Sequence, residues 1–419
     1  MGAADRARAR LVDELRDGGR LPSAAVEEAF RAVPRHLFLP DVPLARAYAD
    51  EAVAVQAVDG VTTSSASQPS MMAIMLDQLD LRPGHRVLEI GAGTGYNAAL
   101  MARIVGPTGA VVAVDIDPDL VDGAARHLAD AGVDGIELAC ADGALGFPAQ
   151  APYDRIVLTV GSGDVRPEWV AQLAPGGRLL LPLAVRGTQL SMALDLGADG
   201  VLRSDSVSRC AFVRLRGVGA AAEPGVQVGE GVSVLPVDDD TARMGSAGAV
   251  LSAPGGSRPA PVPLGGGDLW DGFGLWLALI EPEACRLLAA PDDPDTPARG
   301  AVDGERMFRA GAARATLGLL VDSPRGAGLA AVLLDREPDS PPPWPIQVQA
   351  FGPAGELAVD RVLAALFAWR DAGRPTAADL RLTVIPRPTP TSGPSEATTP
   401  AVAVVEKEHC RLLVRVDST

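Results

Sequence analysis

Lysine is nearly absent from this chain: Lys407 is the only one among 37 basic residues, and the others are arginine, a bias of coding rather than of mechanism. The sign of the total charge says more. With 53 acidic residues the formal charge is −16, which leaves no basic surplus to neutralise phosphates and argues against nucleic acid or an anionic membrane surface as partner. Cysteine is equally scarce: Cys140, Cys210, Cys285 and Cys410 lie far apart with no C-x-x-C pair. That spacing excludes a zinc ribbon or a redox dithiol, and the four are expected to be buried, reduced thiols. The histidines (His36, His85, His127 and His409) show no ligand spacing, so no metal site is expected. No apolar run approaches membrane-spanning length, and residues 1–14 are charged with no apolar signal core. Arg6 stands where a myristoylation signal needs Ser or Thr. These absences together predict a cytoplasmic location.

The chain does have apolar residues in quantity, 47% of 419, enough for two domains. Residues 5–16 and 23–32 read as helices, the second starting at a Ser23 cap. From residue 86 strands alternate with helices: strands at 86–90, 110–115, 136–141, 153–160 and 178–183, and a helix over 166–173. Such alternation predicts an α/β, doubly wound parallel sheet. Residues 189–196 and 201–215, joined through Ala198-Asp199-Gly200, add an antiparallel pair.

Beyond about residue 223 the composition shifts, with Gly/Pro-rich loops expected at 252–268, 291–300 and 338–345. Domains are therefore predicted over 1–222 and 223–419, the second of α+β type. In the second, 273–279 and 330–334 read as strands, as do 380–385 and 402–416. Val359, Val362, Leu363, Leu366 and Phe367 make a helical stripe ended by Arg374-Pro375, and Trp369 is expected to pack that helix on a sheet. Residues 389–400 read as a Pro/Ser/Thr linker.

The densest signal is Arg86-Val87-Leu88-Glu89-Ile90-Gly91-Ala92-Gly93-Thr94-Gly95-Tyr96, a strand running through a glycine turn into a helix. Glycine lets such a turn close tightly beside a ligand, and the helix start presents unpaired N–H groups to it. The spacing is G-x-G-x-G rather than the G-x-G-x-x-G of dinucleotide sites, and Glu89 precedes it. In that respect it looks like the S-adenosylmethionine site of Rossmann-like methyltransferases. Asp115 ends the next strand about two dozen residues on, where such folds hold ribose hydroxyls. Asp142-Gly143 follows the third strand, with Asp142 placed to accept from an adenine amino group. Each acid has a plainer alternative as a helix cap, as Asp117 before Pro118 also does. Cofactor contacts are thus predicted at Glu89, Gly91, Gly93, Gly95, Asp115, Asp142 and Gly143.

Six segments extend the resemblance. Val33-Pro34-Arg35-His36-Leu37-Phe38-Leu39-Pro40, Ser65-Ala66-Ser67-Gln68-Pro69, the glycine turn, Asp142-Gly143, Ala151-Pro152-Tyr153-Asp154 and Pro175-Gly176-Gly177-Arg178 together resemble protein-L-isoaspartate O-methyltransferases over roughly residues 10–215. The resemblance implies a seven-stranded methyltransferase sheet behind N-terminal helices, S-adenosylmethionine as cofactor, and a protein or peptide bearing Asp or isoAsp as partner. It implies that Ser67 contacts the reacting carboxylate and that Ser65 assists. Ser67 is equally readable as the cap of a helix starting near Pro69. With its long C-terminal addition the chain looks like the branch of the family in FxLD-type lanthipeptide systems, which methylates an aspartate of a modified precursor peptide.

The family's Thr-Ile-Ser is here Ser65-Ala66-Ser67, and the Ala-Pro after strand four is Gly161-Ser162-Gly163-Asp164. A smaller wall and an added polar loop are expected to reshape the peptide pocket and count against general isoaspartate repair. An aspartate, with pKa near ~4, is already anionic at neutral pH and needs no base to act as nucleophile. Its methyl ester is a better electrophile than the carboxylate, so the following backbone nitrogen can close a succinimide. Repair, a small-molecule methyltransferase and a partner protein with decayed activity remain alternatives; no histidine is placed as the base a small-molecule acceptor needs. The second domain shows no catalytic constellation and is expected to help select the peptide substrate, with scaffolding or dimerisation as the alternative.

Overall fold

The computed structural model describes residues 2–220, 225–229, 232–237, 242–289, 306–310, 313–335, 341–387 and 401–417. The expected linker at 389–400 and the expected loop at 291–300 lie outside them. Helices α1 (Ala3–Asp17) and α2 (Ala24–Ala32) bury Leu11, Val12, Leu15, Val26 and Phe30 on one face, and a short α3 (Leu44–Ala47) follows. Strands β1 (Val53–Val58) and β2 (Val61–Ala66) pair as an isolated antiparallel ribbon that leads into α4 (Pro69–Leu79).

The central sheet then begins. It takes β3 (Arg86–Ile90), β4 (Ala110–Asp115), β5 (Ile136–Cys140), β6 (Tyr153–Leu158), β7 (Leu173–Val185), β8 (Thr188–Leu196) and β9 (Leu202–Cys210), with α5 (Tyr96–Val105), α6 (Pro118–Asp130) and α7 (Pro167–Ala171) between them. The order is β5-β4-β3-β6-β7-β8-β9. The first five strands are parallel and the last two antiparallel. The buried Val-Leu-Glu-Ile of β3 and the Val-rich β4 have the near-continuous apolar character of strands covered on both faces.

A second, wholly antiparallel sheet follows: β10 (Val226–Gly229), β11 (Val232–Pro236), β12 (Pro254–Pro259), β13 (Ala284–Ala289), β14 (Phe308–Ala310), β15 (Ala313–Val321), β16 (Gly328–Leu334) and β17 (Ile346–Phe351), in the order β10-β11-β13-β15-β16-β17-β12 with β14 on β15. Three helices accompany it, α8 (Ala247–Leu251), α9 (Phe273–Ile280) and α10 (Gly355–Asp371). Of the expected stripe on α10, Val359, Val362 and Leu366 are buried, Leu363 is half-buried and Phe367 is exposed.

Three expectations change here. Residues 273–280 form α9, not a strand: an eight-residue apolar run has no period to separate the two, and here nearly every side chain is buried whichever way it points. Trp369 shares one core cluster with Leu317, Val332 and Val348 of the second sheet and also faces α9, its ring 5.8 Å from Phe273, with Nε1 donating to the Pro375 carbonyl. Residues 254–259, read as loop, are β12, where proline is tolerated because β12 is an edge strand. Of the four thiols, Cys210, Cys285 and Cys410 are buried but Cys140 is exposed.

The largest departure concerns the domain boundary. After α10 the chain returns to the first sheet: β18 (Leu380–Pro386) pairs with β9 through Thr383 and Val384, and β20 (Cys410–Val416) and β19 (Ala403–Glu406) follow outward. The central sheet therefore has ten strands, β19-β20-β18-β9-β8-β7-β6-β3-β4-β5. Residues 223–419 do not make a self-contained second unit; the second sheet is an insertion between two parts of the first.

Candidate active site

The carboxyl ends of β3, β4 and β5 point to one cavity that is open to solvent. At its centre is the glycine turn. Gly91, Gly93 and Gly95 have φ of 99°, 51° and 83°, a region costly to side-chain-bearing residues. A Cβ on Gly91 would sit 2.9 Å from Thr159 Oγ1 and Val160 Cγ1, so the turn can lie against β6 only as glycine. Thr159 Oγ1 donates to the Gly91 carbonyl at 2.6 Å and fixes that contact.

Glu89 is wholly buried on β3. One carboxylate oxygen accepts from Asn97 Nδ2 at 2.8 Å, while the other has no partner among the described residues. Burial pushes its pKa up to about 8, Asn97 opposing and the Asp115 charge adding to the rise. A buried carboxyl with an orphaned oxygen lining a cavity suits a ligand that brings a cation or donor. Asp115, 8% exposed, accepts from the Gly93 N–H at 3.0 Å and the Asp117 N–H at 3.2 Å, with the Arg216 guanidinium 3.5 Å away. It still borders the cavity, where a ribose would meet it. Gly143 also lines the cavity, packed so closely that a Cβ would lie 2.3 Å from Ile90 Cγ2.

Two expected contacts stand elsewhere. Asp142 does not line the cavity; its oxygens accept from the Ala144 and Val218 N–H groups, both at 2.9 Å, so it caps the short turn at 143–145 and anchors residues 217–219. Gly95 is the α5 N-cap and faces Ala124 of α6, so its role is conformational. Asp117, in turn, caps α6 through the Asp119 N–H.

The opposite wall comes from the end of β2. Ser65 and Ser67 both line the cavity, and the Ser67 carbonyl accepts from Arg35 Nη2 at 2.9 Å. Ser67 is not the cap of α4. That position is Gln68, and Asp50 Oδ1 takes the Ser70 N–H instead, which leaves the Ser67 hydroxyl outside the helix start. Met72, Met75, Leu76 and Leu79 supply an apolar flank.

Arg35 is the residue that the sequence alone left without a role. It is 1% exposed, donates to the Ala47 and Ser67 carbonyls and lies 5.1 Å from the Tyr96 ring, tying the end of β2 to the start of α5. A lone arginine within an apolar segment was the available signal. Thr159, Asn97 and residues 212–216 carried no signal at all.

The Gly161–Asp164 segment does not shape this cavity. Ser162 is 4% exposed, its N–H donating to the Pro182 carbonyl, while Asp164 accepts from the His409 N–H at 2.7 Å and the Cys410 thiol at 3.1 Å. The strands that return at the C-terminus cover it. Among the described residues no three His, Cys, Asp or Glu gather as a metal site, and no helix is long and apolar enough to cross a membrane.

Several known proteins are similar to this chain. A protein-L-isoaspartate O-methyltransferase of Methanopyrus kandleri is 42% identical over 220 residues, covering 52% of this chain and 95% of the relative. The enzyme of the same description from Hyperthermus butylicus is 38% identical over 219 residues, covering 50% and 89%. A solved protein-L-isoaspartate O-methyltransferase aligns with 90% of this chain and 96% of its own at 25% identity and a TM-score of 0.49. The family model for protein-L-isoaspartate(D-aspartate) O-methyltransferase (PCMT) matches residues 6–219, which span the ribbon, the glycine turn and the sheet through β9. The chain belongs to the protein-L-isoaspartate(D-aspartate) O-methyltransferase family, whose methyl donor is S-adenosylmethionine.

Proposed function

We propose that this enzyme methylates an aspartyl or isoaspartyl carboxylate of a constrained, ribosomally made peptide, as in FxLD-type lanthipeptide systems. Membership of the family makes it an S-adenosylmethionine-dependent O-methyltransferase of such carboxylates. The narrower choice of substrate rests on the small Ser65-Ala66-Ser67 wall and on the second sheet, which lies beyond the family match. The single observation that carries the site assignment is that Ser65 and Ser67 share one cavity with the glycine turn and Glu89.

Glu89, Gly91, Gly93, Asp115 and Gly143 would hold the cofactor, which when bound supplies an electrophilic methyl on a sulfonium. The Ser67 hydroxyl holds one oxygen of the acceptor carboxylate and leaves the other free to react, and Ser65 supports it. No general base is needed, because the acceptor is already anionic. The apolar flank of α4 strips water from that anion and raises its reactivity, and Arg35, through the Ser67 carbonyl, keeps the serine end of β2 in place. The four free cysteines suit a reducing compartment, and we place the reaction in the cytoplasm.

The test is incubation with S-adenosylmethionine and matched peptides carrying Asp or isoAsp, linear and cyclised, followed by mass measurement. A gain of one methyl on the constrained Asp peptide is expected. Methylation confined to linear isoAsp peptides would return the enzyme to general repair.

A further inference from the structure

A second cleft lies where the two sheets meet. It is bounded by the β7–β8 turn, the Gly161 segment, the end of β11, β13 and the edge strand β19. Among the described residues its charged lining is Arg186, Arg214, Arg286, Lys407 and Glu406, and Glu406 is already ion-paired with Arg387 and Arg411. A cationic cleft is out of character for a chain of net charge −16.

Arg286 is the anomaly within it. Only 7% exposed, it donates to the Gly187 carbonyl and the Thr188 hydroxyl, both neutral, and its Nε has no hydrogen-bond partner among the described residues. Its guanidinium lies 4.7 Å from the Trp270 ring, which Arg209 also faces at 5.5 Å. Burial and the nearby Arg209 charge lower its pKa to about 10. Among the described residues this buried cation meets neutral acceptors, the Trp270 ring and another cation but no carboxylate, and a carboxylate is the group that would balance it. Arg186 and Gly187, at φ 47° and 71°, form the two-residue turn between β7 and β8, a turn type that favours Asn or Gly at its first position. Arginine there brings a further cation to the cleft at a backbone cost.

The cleft adjoins the acceptor cavity. Arg214 lines both, and Gly161 bridges to it in the strand-like segment they share. Gln189, which lines the cleft, clamps Phe212, which lines the cavity, through both its N–H and its carbonyl.

We propose that this cleft is a second subsite, which binds acidic side chains flanking the methylated residue of the peptide substrate. The proposal rests on the peptide reading above and deepens it: the second sheet selects acidic-flanked peptides by completing a cationic wall next to the acceptor pocket. Buried cations of this kind are little screened by salt and discriminate strongly between carboxylate and amide.

The test uses the full chain saturated with S-adenosylhomocysteine and two fluorescent peptides, identical except that Asp and Glu flanking the acceptor become Asn and Gln in one. The acidic peptide is expected to bind about tenfold more tightly, and this preference should collapse in Arg286→Gln. Lys407→Gln, in the turn that follows β19, should reduce it severalfold. Since Lys407 is the only lysine, amine acylation with peptide mapping should also show that residue protected by the acidic peptide. Equal binding of the two peptides, or a preference that survives both substitutions, would overturn the subsite. So would saturation by inorganic phosphate without any peptide preference, which would make the cleft a small-anion site. Because the readout is binding, a preserved preference with no methyl transfer to either peptide supports the cleft and counts against the acceptor reading instead.

Discussion

Glu89 couples the site to pH. Its folded-state pKa of about 8 stands above the ordinary 4.5, so the native chain holds a proton that the unfolded chain releases across that window. The stabilisation is complete below 4.5 and is lost as pH rises through about 8. The cofactor-free protein should therefore melt at lower temperature at high pH than at mildly acid pH, with a flatter profile in Glu89→Gln. A cation bound against Glu89 favours the anion, so S-adenosylmethionine should bind more tightly as pH rises across the same window, releasing a proton detectable by calorimetry in buffers of different ionisation enthalpy. An identical pH slope in wild type and Glu89→Gln would remove Glu89 from the site. Ser67 makes a different demand. Ser67→Ala should lower kcat about ten- to hundredfold, the worth of one hydrogen bond to a charged group, with cofactor affinity little changed. A wild-type rate would strip Ser67 of its orienting role.

The elements that return to the first sheet are structural members of the catalytic unit. Leu382, Val384, Cys410, Leu412 and Val414 of β18 and β20 belong to the same core as Leu181, Leu190, Met192 and Leu202. Deleting residues 380–419 would expose that apolar face and the edge of β9 to water. A marked fall in melting temperature, or aggregation, is expected from thermal unfolding of the deletion variant; a chain that melts like wild type would make these strands dispensable. Pairing of this kind leaves no local mark. The Leu382 N–H donates to Ser204 Oγ across 178 positions, and nothing in either segment names its partner. The same holds for α9, where an apolar run without period became a helix because its neighbours bury it on several sides.

For the whole molecule, the two sheets share a core. Leu275 and Leu279 of α9, which accompanies the second sheet, lie in the cluster that includes Leu183, Leu190 and Leu380 of the first. One cooperative thermal transition is thus expected, with far-UV dichroism and tryptophan fluorescence coinciding. Leu279→Ala, which empties a site 3% exposed, should destabilise the entire molecule by about 2–5 kcal/mol rather than one sheet alone. Two separated transitions would establish independently folding units.

The sequence by itself determined what depends on neighbours in the chain: the strand, turn and helix around Gly91–Gly95, the parallel β/α order, the β8–β9 pair, and a carboxylate at the end of β4. These follow from period and backbone preference, and they were enough to specify a methyltransferase-like cofactor turn. Only the tertiary structure decided which groups face the cavity. It turned Asp142 away from the cavity lining to cap the 143–145 turn and hold Val218, and it relieved Ser67 of capping because Asp50 reaches the helix start from another segment. It also buried the Gly161–Asp164 loop under the C-terminal strands and set Arg286 against neutral acceptors. In each case the deciding contact joins residues far apart in the chain, and burial rather than local pattern sets the chemistry.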